Sequence, residues 1–232
     1  MDSSENYELH DFNFRLRKTL LSEAPKPASF WVTGLMVLLM ALMSQIYWHD
    51  TFGISDFLPA IREKVFQQGQ WWRVFTATFI HADLEHFLSN LLMLTVFSYF
   101  VFGYFGSLVL PVVLLVLAGL VNAMAIFTYP AEVQLVGASG LVYLLGGFWL
   151  TMYLILQRQY KWLNRSLRVL GTGMVLFLPT SFVPTTSYRT HGIGFAIGVI
   201  AALVYFILNH QKLLDHEIYE PVFEELELVE RG

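Results

Sequence analysis

Cysteine is absent, and charge is scarce: Asp, Glu, Lys and Arg make up 14% of the 232 residues, against roughly a quarter in soluble domains. The first absence excludes disulfides, thiolate nucleophiles and Cys-ligated metal sites. It leaves the compartment open, because a helix bundle in lipid needs no covalent staple. The second, set beside 56% hydrophobic residues and 20 phenylalanines, excludes the soluble globular class. Several uncharged runs reach the roughly 20 residues that cross a bilayer, so the chain reads as a polytopic membrane protein. Its net charge of −4 arises largely from the C-terminal carboxylates between Asp215 and Glu230. That charge implies no acidic or basic partner, and no nucleic acid is expected. Internal repeats and low-complexity tracts are also lacking. Residues 1–29 are polar, hold no short apolar core and end near Pro25-Lys26-Pro27, so no cleavable signal is expected there.

What is present is a succession of apolar runs. Residues 30–48 form the first, with Trp31, Tyr47 and Trp48 as interfacial aromatics. Residues 49–80 are too polar to cross and too apolar for a free loop. Phe57, Leu58, Ile61, Val65 and Phe66 recur there at helical spacing, which predicts a short helix lying in the interface. Further spans are expected at 84–105, 107–127, 139–156, 169–183 and 191–208, with Asp83 as the N-cap of the second. A basic loop carrying Arg158, Lys161, Arg165 and Arg168 precedes the fifth. The predicted class is all-α, a polytopic six-transmembrane-helix bundle with a partly membrane-embedded first loop. Its parts are a cytosolic N-terminal segment (1–29), the membrane domain (30–208) and an acidic cytosolic tail (209–232), solvated and with helical potential.

Six crossings put both termini on one side. Nine basic residues between Arg15 and Lys212 share that side and four (Arg62, Lys64, Arg73, Arg189) lie opposite, which predicts cytoplasmic termini; a bacterial inner membrane is the expected location. Spans two, four and six then run the same way, with their first turns at one depth near the outer face. His86, Ser139 and His191 occupy those turns. His86 and Asn90, four apart, share a helical face.

A Ser–His pair suffices for acyl transfer when imidazole takes the hydroxyl proton and later returns it to the leaving amine. The tetrahedral oxyanion needs fixed donors, which His86, the Asn90 amide and the Ser139 N–H at a helix N-terminus can supply. No carboxylate stands where a third triad member would sit. Tyr143, one turn after Ser139, is placed to stack on His191 instead. Gly137 and Gly140 flank the serine, and Gly194 and Gly198 form a GxxxG ridge on the last span. Close contact of spans four and six would bring His191 within hydrogen-bond reach of Ser139. His81 and His86, five apart, share a helical face poorly, and neither metal nor cofactor is expected.

The pattern His81-x4-His86-x3-Asn90, then Gly137-Ala138-Ser139-Gly140 with Tyr143, then His191-x2-Gly194-x3-Gly198, resembles the rhomboid intramembrane serine proteases. Trp72-Arg73 is similar to that family's Trp-Arg pair in the first loop. The resemblance spans about residues 30–208. It implies Ser139 as nucleophile, His191 as general base, His86 and Asn90 as oxyanion-hole residues, and His81 as a structural histidine. Phe102 and Thr190 stand where the family often carries an acidic and a small residue.

Singly, each motif has a plainer reading. Glycines and a serine pack helices, Asn90 can bond a neighbouring helix, Trp72 is an interfacial aromatic and Arg73 a lipid-phosphate partner. Jointly, at one depth, they predict a serine endopeptidase acting on transmembrane protein substrates within the lipid bilayer. The alternative is an inactive relative that binds or escorts membrane helices. A histidine proton relay in a transporter is a third reading, but the spans lack the acidic residues it needs.

Overall fold

The computed structural model describes residues 13–106, 109–177 and 187–222, and the described chain is mainly helical. Five helices are long and apolar enough to cross a membrane: α1 (Ala28–Trp48), α4 (Leu84–Phe105), α5 (Val109–Thr128), α6 (Ser139–Leu156) and α8 (Tyr188–Leu214). At 1.5 Å per residue, α1 is about 31 Å long, the thickness of the hydrocarbon layer. Its buried residues Ser29, Thr33, Met40 and Ser44 fall on one face, while Leu35, Leu38, Leu39 and Leu42 are exposed. That inside-out arrangement suits lipid as the outer solvent.

The hub is α6, with thirteen of its eighteen residues buried. Its closest partner is α8, because glycines remove the side chains between them. A Cβ on Gly198 would lie 2.1 Å from the Leu144 carbonyl oxygen, and one on Gly194 would lie 2.5 Å from that of Gly140. Phe97, Phe148, Leu144 and Leu145 fill the space where α4 also meets α6.

The fifth expected span differs. Helix α7 (Trp162–Phe177) begins seven residues before the predicted start, and residues 178–183 of that prediction lie outside the described residues. The basic stretch predicted as a loop is therefore partly helical. Arg165 Nη1 donates to the Leu154 carbonyl at 2.8 Å, satisfying an otherwise open carbonyl at the end of α6. The Arg168 guanidinium lies over the Tyr160 ring at 4.1 Å. Helix α7 buries none of its described residues.

The first loop is likewise not one helix. Pro59 breaks the helical pattern between Phe57 and Ile61, leaving a 3-10 turn (Ser55–Phe57), strand β2 (Ala60–Ile61), a five-residue α2 (Arg62–Phe66) and a short α3 (Arg73–Thr76). Strand β2 pairs antiparallel with β3 (Gln134–Leu135), Ala60 opposite Leu135. Arg73 is 2% exposed and does not face lipid phosphate. Its guanidinium donates to the carbonyls of Asp56 (2.7 Å) and Pro59 (3.0 Å), and Nε donates to Gln70 (2.6 Å). Trp72 remains half-exposed, its Nε1 donating to the Phe57 carbonyl at 3.3 Å.

Helix α8 runs six residues past its predicted end, so the first residues of the tail are helical, and residues 218–222 then form a strand. Strand β4 (Ile218–Val222) pairs antiparallel with β1 (Asn13–Lys18), and Arg17 meets Glu220 at 2.8 Å. Beside them Arg158 holds Glu217 in a bidentate pair at 2.5 and 2.7 Å. Glu220 and Glu217 of the tail thus meet basic residues of the N-terminal segment and of the α6–α7 connection. Glu224, Glu225, Glu227 and Glu230 lie outside the described residues.

Candidate active site

The approach to Ser139 is fixed from both sides. After β3 the chain turns at Gly137, whose φ of +115° is a left-handed conformation open to glycine. Its N–H donates to the Ala77 carbonyl at 2.9 Å. A Cβ there would lie 2.6 Å from His86 Cε1, so the absence of a side chain also lets the His86 ring rest on the backbone two residues before the serine. Ser139 then opens α6 and is 8% exposed.

His81 ties this corner to α1. The Ala138 N–H donates to His81 Nε2 at 3.3 Å, and His81 Nδ1 lies 3.1 Å from Ser44 Oγ. Since Nε2 accepts, the proton sits on Nδ1 and is donated to the serine. The Trp48 indole donates to the His81 carbonyl at 2.7 Å. Burial pushes the His81 imidazole down to about 3, so the folded protein holds it neutral while the unfolded chain protonates it near 6.5. Stability from this residue is therefore present above about pH 6.5 and is lost as pH falls toward 3, at up to about 1.4 kcal/mol per pH unit. Unfolding in detergent across that range is expected to show the slope in wild type and a shallower one in His81→Gln.

His86 is the third residue of α4. Asp83 caps that helix, accepting from the His86 N–H at 2.7 Å. One turn on, the buried Asn90 amide donates to the His86 carbonyl at 2.9 Å. The His81 and His86 rings meet edge to face at 5.3 Å.

His191 is the fourth residue of α8, and its ring stacks on Tyr143 with centroids 3.9 Å apart and planes 14° from parallel. Tyr143 lies four residues, one turn, from Ser139 on the same helix. The start of α8 is fastened to the end of α5: the Tyr129 hydroxyl meets Ser187 Oγ at 2.5 Å, Ser187 Oγ meets the Thr190 hydroxyl, and Arg189 donates to the Thr128 carbonyl. The structure thus gathers His86, Gly137, Ser139, Tyr143 and His191 at one end of the bundle. Among the described residues, however, Ser139 Oγ makes no hydrogen bond, and the expected Ser139–His191 bond is not formed. Such bonds often tighten only when substrate is bound.

Two supporting residues went unread in the sequence. Asn122 on α5 donates to the Val74 carbonyl at 2.8 Å and to Thr78 Oγ1 at 3.0 Å, and a Cβ on Gly140 would lie 3.3 Å from its Oδ1. Ser44 holds His81. Each is a lone polar residue within an apolar run, a signal in its own right because lipid rarely tolerates one without a partner.

This arrangement can support nucleophilic acyl transfer, with a hydroxyl at a helix N-terminus and two imidazoles at the same end of the bundle. Residues 68–208 match the family model described as Rhomboid domain. The match starts beyond α1 and takes in every motif residue from Trp72 to Gly198, whereas the resemblance in sequence reaches back to about residue 30. No curated protein matches the chain. With well over half its length matched, and five apolar helices of spanning length, this multi-pass membrane protein belongs to the rhomboid family, whose members are intramembrane serine proteases or their inactive relatives.

Proposed function

We propose that the protein is an active intramembrane serine endopeptidase that cuts transmembrane segments of other membrane proteins near the outer membrane face. The observation that carries this reading is the His191 ring stacked at 3.9 Å on Tyr143, one turn from Ser139. Stacking sets the plane of the imidazole without a carboxylate partner.

In the proposed reaction Ser139 Oγ attacks the scissile carbonyl carbon while His191 takes the hydroxyl proton. The oxyanion receives hydrogen bonds from the Ser139 N–H, His86 and Asn90. As the C–N bond breaks, His191 passes its proton to the leaving amine, and an ester on Ser139 remains. Water then attacks the ester, giving its proton to His191, and the serine is released with its proton restored. A membrane helix resists attack because its amides are internally bonded. Substrates are therefore expected to carry helix-breaking residues and a small residue at the cut.

The pairing of β1 with β4 supports an even number of crossings, since both ends of the bundle must emerge on one side. It favours α7 as the sixth crossing. With the nine-to-four distribution of basic residues, we place the termini in the cytoplasm of a bacterial cell and the site toward the outer face.

The unbonded Ser139 hydroxyl favours the alternative, an inert relative that captures helices without cutting them. Incubation of the purified protein in detergent with single-span membrane proteins, followed by mass spectrometry of the products, separates the two. Fragments ending within a transmembrane helix near its outer end are expected. Stable capture of intact helices with no fragments would establish the inert reading.

A further inference from the structure

A long groove of about 860 Å³ runs between α5 and α8, well away from Ser139. Its volume is in the upper part of the roughly 300–1,000 Å³ range of ligand pockets. Leu117, Leu120 and Met124 of α5 face Ile197, Ala201 and Val204 of α8 across it. The two helices are joined at their outer ends by the Arg189–Thr128 bond and the Tyr129–Ser187 contact. Gly194 and Gly198 of α8 face α6, so α8 packs inward and leaves this opposite face uncovered.

The chemistry changes along the length of the groove. At the end nearest the chain termini it is lined by Lys26, Lys212, Asn209, Glu23 and His216. Glu23 is engaged, its carboxylate 3.0 Å from His216 Nδ1. Both lysines are exposed, and among the described residues neither makes an ion pair. The mouth therefore carries net positive charge with two ammonium groups open to a ligand. From Ile197 to Lys212 along α8 the groove is about 22 Å long. One bilayer leaflet with its headgroups measures about 20–22 Å. An apolar slot one leaflet deep, with cations at the headgroup level, matches a lipid with an anionic head.

We propose that this groove is a binding site for a phospholipid of the termini-side leaflet, its acyl chain lying between α5 and α8 and its phosphate at Lys26 and Lys212. Lipid there covers the open face of the helix that carries His191. This site does not depend on the protein being a protease.

The full-length protein is purified in neutral detergent, titrated with phosphatidylglycerol or phosphatidylcholine, and examined by native mass spectrometry. Retention of phosphatidylglycerol over phosphatidylcholine is expected. Lys26→Gln/Lys212→Gln is expected to weaken phosphatidylglycerol binding about thirtyfold, roughly fivefold for each lysine near a membrane surface, and to leave phosphatidylcholine unchanged. Val204→Trp, which fills the slot, is expected to reduce both. Equal retention of the two lipids, or unchanged phosphatidylglycerol binding in the double lysine variant, would overturn the site. Both lysines are exposed, so that second result stands whether or not Val204→Trp folds.

Discussion

Ser139→Ala is expected to lower cleavage of a membrane-helix substrate by about ten-thousandfold or more while leaving the fold intact. Removing the nucleophile of an acyl-transfer site removes the covalent route altogether, and what remains is catalysis by binding and oxyanion donors alone. The fold is expected to survive because Ser139 Oγ supports nothing: it makes no hydrogen bond among the described residues, and the corner it occupies is held by Gly137, Ala138 and His81. His191→Ala is expected to lose comparable activity, since nucleophile and base act as a unit. Its structural cost should be larger, because the Tyr143 ring loses its stacking partner. Cleavage rates alongside thermal unfolding of the purified variants check both points. Cleavage by Ser139→Ala at the wild-type rate would remove the serine from the chemistry.

Gly198→Val is expected to be the most damaging substitution away from the reacting groups. The new Cβ would fall 2.1 Å from the Leu144 carbonyl oxygen and 2.9 Å from the Phe148 nitrogen. Those are backbone atoms of the hub helix and cannot rotate aside, so α8 must move off α6. Overpacking of this kind costs about 1–3 kcal/mol and sometimes more. It also shifts His191 relative to Ser139, and a displacement of about 1 Å can cost about a hundredfold in rate. Thermal unfolding in detergent, with cleavage assayed at a temperature where the variant stays folded, measures the two effects separately. Wild-type stability and activity together in Gly198→Val would mean that the α6–α8 contact does not position the site.

Hydropathy made the helices legible, and the capping residue Asp83 bounded the start of α4 closely. The start of α7 is missed because Arg158, Lys161, Arg165 and Arg168 read as a loop when charge is counted, whereas Arg165 and Arg168 lie within the helix and Arg165 turns its charge to the end of α6. The first loop was misread because Pro59 outweighs the apolar periodicity around it. Strands β1 and β4 stay hidden because their pairing joins residues some 200 positions apart: Phe14 and Leu16 alternate with polar residues in β1, but β4 carries Pro221 and no such pattern.

At the site, the convergence of His86, Ser139 and His191 followed from counting crossings, since helices entering in the same direction place their first turns at one level. The scaffold behind them did not follow. Nothing local links Ser44 to His81 or Asn122 to Thr78, and those bonds exist only because α1 and α5 pack where they do. Arg73 shows the same limit: charge beside two tryptophans suggested the membrane interface, but three acceptors from the first loop draw it inside.

The central claim is that the imidazole on α8 activates the hydroxyl at the head of α6. Labelling by a fluorophosphonate probe reads that directly, because only a serine with a base at hand reacts appreciably. Wild-type protein is expected to be labelled at Ser139, as mapped by mass spectrometry, and His191→Ala to lose the label. An unlabelled Ser139 in folded wild-type protein, or equal labelling once His191 is gone, would contradict the account.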